Sequence, residues 1–185
     1  MGKIEDLAAE YERHICVPWQ RTLAGAQRVV LVVYEKELER TLRARLGEFE
    51  HRTRAAGHGW LHHDCTRDFA EWMASADYRD AYFEAPEDLE MKVAAEFLDH
   101  VSAPLRELLR EADEDTVVAV TGVASLYGFT QVSDLIASVE PDIRGRLVVF
   151  FPGSRDGNTY RLLDARDGWN YLANSISLHG VRASP

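Results

Sequence analysis

Three short runs constrain this chain more than anything else in it: "RVVLVVYE" (28–35), "TVVAVTG" (116–122) and "RLVVFFPG" (146–153). Each is apolar and rich in β-branched residues, with no polar residue at alternate positions. A strand with one wet face alternates apolar and polar side chains. A strand without that alternation is buried on both faces, as in a parallel sheet covered by helices. None of the runs approaches the ~18 apolar residues of a membrane-spanning helix. Helical patterns lie between them. The alternation predicts a single α/β domain over 1–185, in three layers. A mostly parallel central sheet would carry helices on both faces, Rossmann-like or P-loop-like in topology but without a working phosphate loop.

The segments between the runs fill in the outline. Ile4, Leu7, Ala8, Tyr11 and Ile15 recur at three- and four-residue steps, which predicts a short N-terminal helix over 3–16, ended by Pro18. Leu38, Leu42, Leu46 and Phe49 predict a second helix. Its outer face carries the i,i+4 pairs Glu39–Arg43, Glu48–Arg52 and Glu50–Arg54, and Gly57 supplies a C-terminal cap. "WLHHDCT" (60–66) reads as a less apolar edge strand and "RDFAEWMAS" as a short helix. "ADYRDAYFEAPEDLE" reads as loop or broken helix. Leu89, Val93, Phe97, Val101, Leu105 and Leu109 form one long stripe around Pro104. Either the helix kinks there, or Ser102 caps a second helix. "TQVSDLIASV" (130–139) is the helix after the second run, and the third run is expected to end at Pro152-Gly153. Asp156-Gly157 signals a turn that folds "TYRLLDA" back as a hairpin partner. "NYLANSISL" gives one more strand, and a mobile tail is expected over about 177–185.

Composition excludes some functions. The net charge of -10 opposes direct nucleic-acid binding, which needs a basic face to displace phosphate counterions. The arginines of 40–54 alternate with glutamates at helical spacing, as on a solvated helix face. Cys16 and Cys65 show no CxxC spacing, which points to a reducing compartment. The first residues hold no apolar core of signal-peptide length, and Glu5-Asp6 stands where a myristoylation signal needs Ser or Thr. The expected setting is the cytoplasm, away from the membrane.

Several motifs approach a chemistry without completing it. "TGVASLYGFT" (121–130) follows a strand and precedes a helix, as a P-loop does. But five residues separate Gly122 from Gly128 where four are needed, and Phe129 stands in place of the lysine that neutralises the β- and γ-phosphates. Ser125 with Asp134 or Asp164 and His179 has the chain order of an α/β-hydrolase triad, but "GVASLYG" is not the GxSxG elbow. His58, His62, His63, Asp64 and Cys65 suggest a metal, yet His62 and His63 on a strand point to opposite faces. The acidic runs "EAPEDLE" and "READEDT" read as solvated helix ends. No catalytic, cofactor or metal residues are therefore assigned. Tyr78, Tyr82 and Phe83 read as core or as an interface patch.

In combination, certain pieces resemble the BrxB family of BREX bacteriophage-defence systems. They are "TGVASL" after a strand, "VSDLI" on the next helix, and "RLVVFFPG" followed by "DGNTYRLLD". "YRDAYFE" and the early "ERHICVPWQRTLAGAQRVVLVVYE" also fit. The resemblance runs along the whole chain. It implies a small cytoplasmic bacterial core component acting with an alkaline-phosphatase-like partner (PglZ), a methyltransferase, a large ATPase and other BREX subunits. It brings no catalytic residues and no cofactor. The expected role is a non-catalytic structural or adaptor subunit docking the PglZ-type partner, with a homodimer as a further assembly. The alternative is a nucleotide or phosphate-ligand binder using the Gly122–Gly128 turn. Exposure-prone chemistry nominates Tyr78, Tyr82, Phe83, Tyr127, Phe129 and Arg155 as interface residues.

Overall fold

A computed structural model of the chain describes residues 2–165 and 168–178. Helix α1 (Lys3–Ile15) leads to strand β1 (Val29–Tyr34), then α2 (Glu39–Ala44) and α3 (Leu46–Ala55). Strand β2 (Gly59–Asp64) comes next, then α4 (Asp68–Ser75), α5 (Arg79–Glu84), α6 (Pro86–Lys92) and α7 (Leu98–Glu111). Strand β3 (Thr116–Thr121), helix α8 (Val132–Val139) and strands β4 (Arg146–Asp156), β5 (Thr159–Leu162), β6 (Trp169–Asn170) and β7 (Asn174–Ile176) complete the order.

The main sheet runs β2-β3-β4-β1-β7, every pair on that path parallel. The three apolar runs are its three central strands, as double-sided burial requires. Residue parity divides the core. Val30 and Val32 of β1, Val117 and Ala119 of β3, and Val148 and Phe150 of β4 pack with α1, Leu42 of α2 and Phe49 of α3. Their chain neighbours Leu31, Val118, Val120, Leu147 and Val149 pack with α4, α7 and α8 on the other face. This is the predicted three-layer α/β arrangement. No helix among the described residues is long and apolar enough to cross a membrane.

Three local expectations are corrected, and one open alternative is decided. The helix predicted from Leu38 to Phe49 breaks at Arg45 (φ -113, ψ 11), although Leu38, Leu42, Leu46 and Phe49 still face one core. Glu39–Arg43 and Glu50–Arg54 pair at 2.8 and 2.9 Å, but Arg52 reaches across to Glu12 of α1 instead of Glu48, because α1 packs on α3. Strand β4 does not stop at Pro152-Gly153 but continues to Asp156. Beyond Val149 it has no β3 partner, but Pro152 still stands opposite Tyr34 of β1, and its carbonyl accepts from Leu163 N. Finally, α7 continues through Pro104, and Ser102 Oγ donates back to Asp99 O rather than capping a new helix.

Upstream of α7, Val93–Phe97 form a π-helical segment. Four-residue steps advance about 40° beyond a full turn in an α-helix. A stripe spaced strictly by fours, from Leu89 to Leu109, therefore drifts off one face unless a wider turn takes up the excess. Val93 and Phe97, the two ends of the π segment, are both buried.

The predicted hairpin forms. β4 and β5 pair antiparallel from Gly153↔Leu162 to Asp156↔Thr159, and Gly157 (φ +59) opens the two-residue loop. The tail expectation lies outside the described residues from 179 onward. Leu178, placed in it, packs against the α1 side of the core.

Candidate functional site at the carboxyl edge of the sheet

The carboxyl ends of β1, β2, β3 and β4 share one edge, where α/β sheets usually hold ligands. Strand β2 is outermost there, pairing with β3 from Gly59↔Thr116 to Asp64↔Thr121. Its pleat sends His62 and Asp64 to the α3 side, and His63 and Cys65 to the α4 side.

On the α3 side lies a half-exposed polar network. Arg43 bonds Glu39 (2.8 Å), Asp64 (3.3 Å) and the Thr66 hydroxyl, and Glu39 accepts from Tyr34 OH. Asp64 also accepts from Thr66 N at 3.0 Å. Burial pulls the Asp64 carboxyl up. Hydrogen bonds from Thr66 and the Arg43 charge outweigh that and hold it below the usual range. His62 Nε2 is 2.8 Å from Thr121 Oγ1, and burial lowers its pKa.

On the α4 side, three donor-bearing side chains converge. His63 Nε2 lies 3.0 Å from Asp68 Oδ2. One ligand atom from each of His63, Cys65 and Asp68 falls within 4.8 Å of the others. Cys65 and Asp68 are buried and the His63 side chain is 13% exposed. Burial, then the Asp68 carboxylate, pushes the Cys65 thiol well up. The local fold explains the convergence. His63 and Cys65 are two apart on one strand face, and a 3₁₀ turn (Cys65–Arg67) brings Asp68 back as the first residue of α4.

The P-loop-like stretch is differently built. Gly122 adopts the left-handed region (φ +74) and leads into a 3₁₀ turn at Val123–Leu126, while α8 does not begin until Val132. A Cβ on Gly122 would collide with the Asp64 carboxylate and with Thr66, whose backbone N would be 2.8 Å away. The glycine is there for a close approach of β2's end, and an ionised carboxylate stands where a phosphate would need positive charge. Gly128 (φ +83) meets nothing within 4 Å and serves the turn alone.

That turn also walls a groove of about 750 Å³, lined by Tyr127, Phe129, Gln131, Leu162, Asp164 and Trp169 among others. Tyr127 is 54% exposed, whereas Phe129 stacks on Phe69 at 3.8 Å and meets Phe97 edge-on. Tyr78 and Phe83 are open to solvent at 74% and 71%, joined by Met91 of α6 at 80%. Tyr82 packs on the α4–α7 core with Lys92 over its ring. Arg155 sits on the hairpin, bonded to Gly157 O and Ser175 and lying over Tyr160. Of the possible hydrolase triad, His179 lies outside the described residues. Asp164 pairs with Lys36 and lines the groove.

Sequence reasoning misses two features. Asp68 reads as part of a helix, apart from the histidines, although His-x-Cys parity on a strand already puts His63 and Cys65 on one face. Met91 lies in α6 beside the stripe that begins at Leu89 and Val93 but off its spacing, so the periodicity leaves it unassigned. No family model, curated protein or solved structure matches the chain.

Proposed function

We propose that this protein is a non-catalytic adaptor subunit that docks a larger enzyme through the α5–α6 surface. The observation that carries this reading is the exposure of three large apolar side chains within fourteen residues, Tyr78 just before α5, Phe83 in α5 and Met91 in α6, the two short helices packing on each other with no residue fully buried. Large side chains left in water at that density mark surfaces for association. Their neighbours Asp80, Glu84, Glu87, Asp88 and Glu90 are exposed and acidic, so the fitting partner offers an apolar pocket rimmed by basic residues. The resemblance to the BrxB family makes the partner a PglZ-type alkaline-phosphatase-like subunit of a BREX phage-defence complex. The ionised Asp64 beside Gly122 speaks for the adaptor over a phosphate-ligand binder. Co-purification against each co-encoded subunit tests the proposal. Phe83→Glu with Met91→Glu should abolish capture of the PglZ-type protein while circular dichroism stays unchanged. Undiminished capture by the folded double variant would reject this surface, and no capture by the parent protein would reject the role.

A further inference from the structure

We infer that His63, Cys65 and Asp68 bind one divalent transition-metal ion of the zinc type, leaving a fourth coordination position open. The donor set carries the chemistry. Imidazole and thiolate are ligands of zinc and cobalt, and neither is favoured by magnesium or calcium, which take oxygen. Placement carries the geometry. Three donors from a six-residue stretch already lie within 4.8 Å of one another, without any rearrangement of the backbone. Ideal tetrahedral bonds of ~2.0–2.1 Å to nitrogen and oxygen separate those two ligands by about 3.3 Å. His63 Nε2 and Asp68 Oδ2 stand at 3.0 Å, so admitting an ion parts them by a few tenths of an ångström.

Burial makes the cluster hard to explain as solvated surface. Cys65 has no exposure, and the Asp68 side chain keeps 10%. A buried carboxylate and a buried imidazole side by side need a compensating charge or a shared proton: their 3.0 Å hydrogen bond supplies the second, and a bound cation would supply the first in its place. On binding, the Cys65 thiol proton leaves to solvent and the thiolate, imidazole and carboxylate surround the ion. His62 cannot join, because it is committed to Thr121 on the opposite face of β2. Among the described residues this is the one His/Cys/Asp/Glu group with ligand atoms so close. The inference is independent of the adaptor role, since the cluster faces the sheet side of α4 and shares no residue with the α5–α6 surface.

The test uses the full chain, stripped with chelator and titrated with Co²⁺. The expected result is one equivalent bound, with a thiolate-to-cobalt charge-transfer band in the near ultraviolet. Zn²⁺ should displace it and raise the melting temperature, as any ligand specific to the folded state does. With two cysteines in the chain, the band must survive Cys16→Ser and vanish in Cys65→Ser. Should Cys65→Ser fail to fold, Asp68→Asn replaces it and should weaken cobalt binding roughly tenfold or more. His62→Ala should bind as the parent does. No band and no thermal shift at millimolar metal would overturn the site. So would a band that tracks Cys16, or equal affinity in Asp68→Asn.

Discussion

One strand, β2, ends in two opposite electrostatic regimes. His62 and Asp64 face a network shared with Arg43, Glu39 and Thr66 in which water reaches most members. His63 and Cys65 face Asp68 where water is largely excluded. Both sides contain a histidine and an aspartate within a few residues, so composition does not separate them. The pleat does. Solvent screens the first set, and each ion pair there is worth little. The second set lies in a medium where every donor and acceptor must find a partner. A polar cluster's importance thus depends on which face of the strand it is on.

The comparison can be broken most severely from beneath the buried side. Trp72, one turn on from Asp68 in α4, packs against Phe97 and Phe69. Trp72→Ala should cost about 3–5 kcal/mol in urea unfolding, because the void sits among rings that cannot all collapse. Next comes His63→Ala, which strips Asp68 of its hydrogen-bonded neighbour and should cost ~1–3 kcal/mol. Gly122→Ala strains a left-handed backbone position by about 1–2 kcal/mol and presses on Thr66, so it should disturb the exposed side by distorting the end of β2. The smallest effect belongs to Arg43→Gln. It removes ion pairs to Glu39 and Asp64, yet stability should change by less than about 1 kcal/mol. A larger loss for Arg43→Gln than for His63→Ala would invert the contrast between the two sides.

The sheet is legible in the chain because double-sided burial leaves a signature in consecutive residues. "RVVLVVYE", "TVVAVTG" and "RLVVFFPG" each name a strand that no surface could hold. Strand order is not legible. β1 lies between β4 and β7, about 120 and 145 residues downstream, and nothing local to Val29–Tyr34 records those partners. The break at Arg45 is hidden for a related reason: its flanking leucines keep helical spacing, and the chain bends to keep them on one core. Asp68 escapes notice because its role at a helix start is a complete local explanation. Only the fold reveals that His63 and Cys65 stand beside it. The exposure of Phe83 is half legible, since aromatics among acids suit either a core or an interface.

The π segment at Val93–Phe97 acts as a phase adjuster between two parts of one helical rod. An added residue within a turn rotates everything upstream by about 100° relative to the downstream helix. Deleting Ala94 would let the turn close as ordinary α-helix, with α7 still held by Phe97, Val101 and Leu105. Helix α6 would swing by that angle, carrying Met91 away from its present bearing on the rest of the molecule. A one-residue deletion, with no side chain of the exposed surface altered, would thus misalign the proposed docking face.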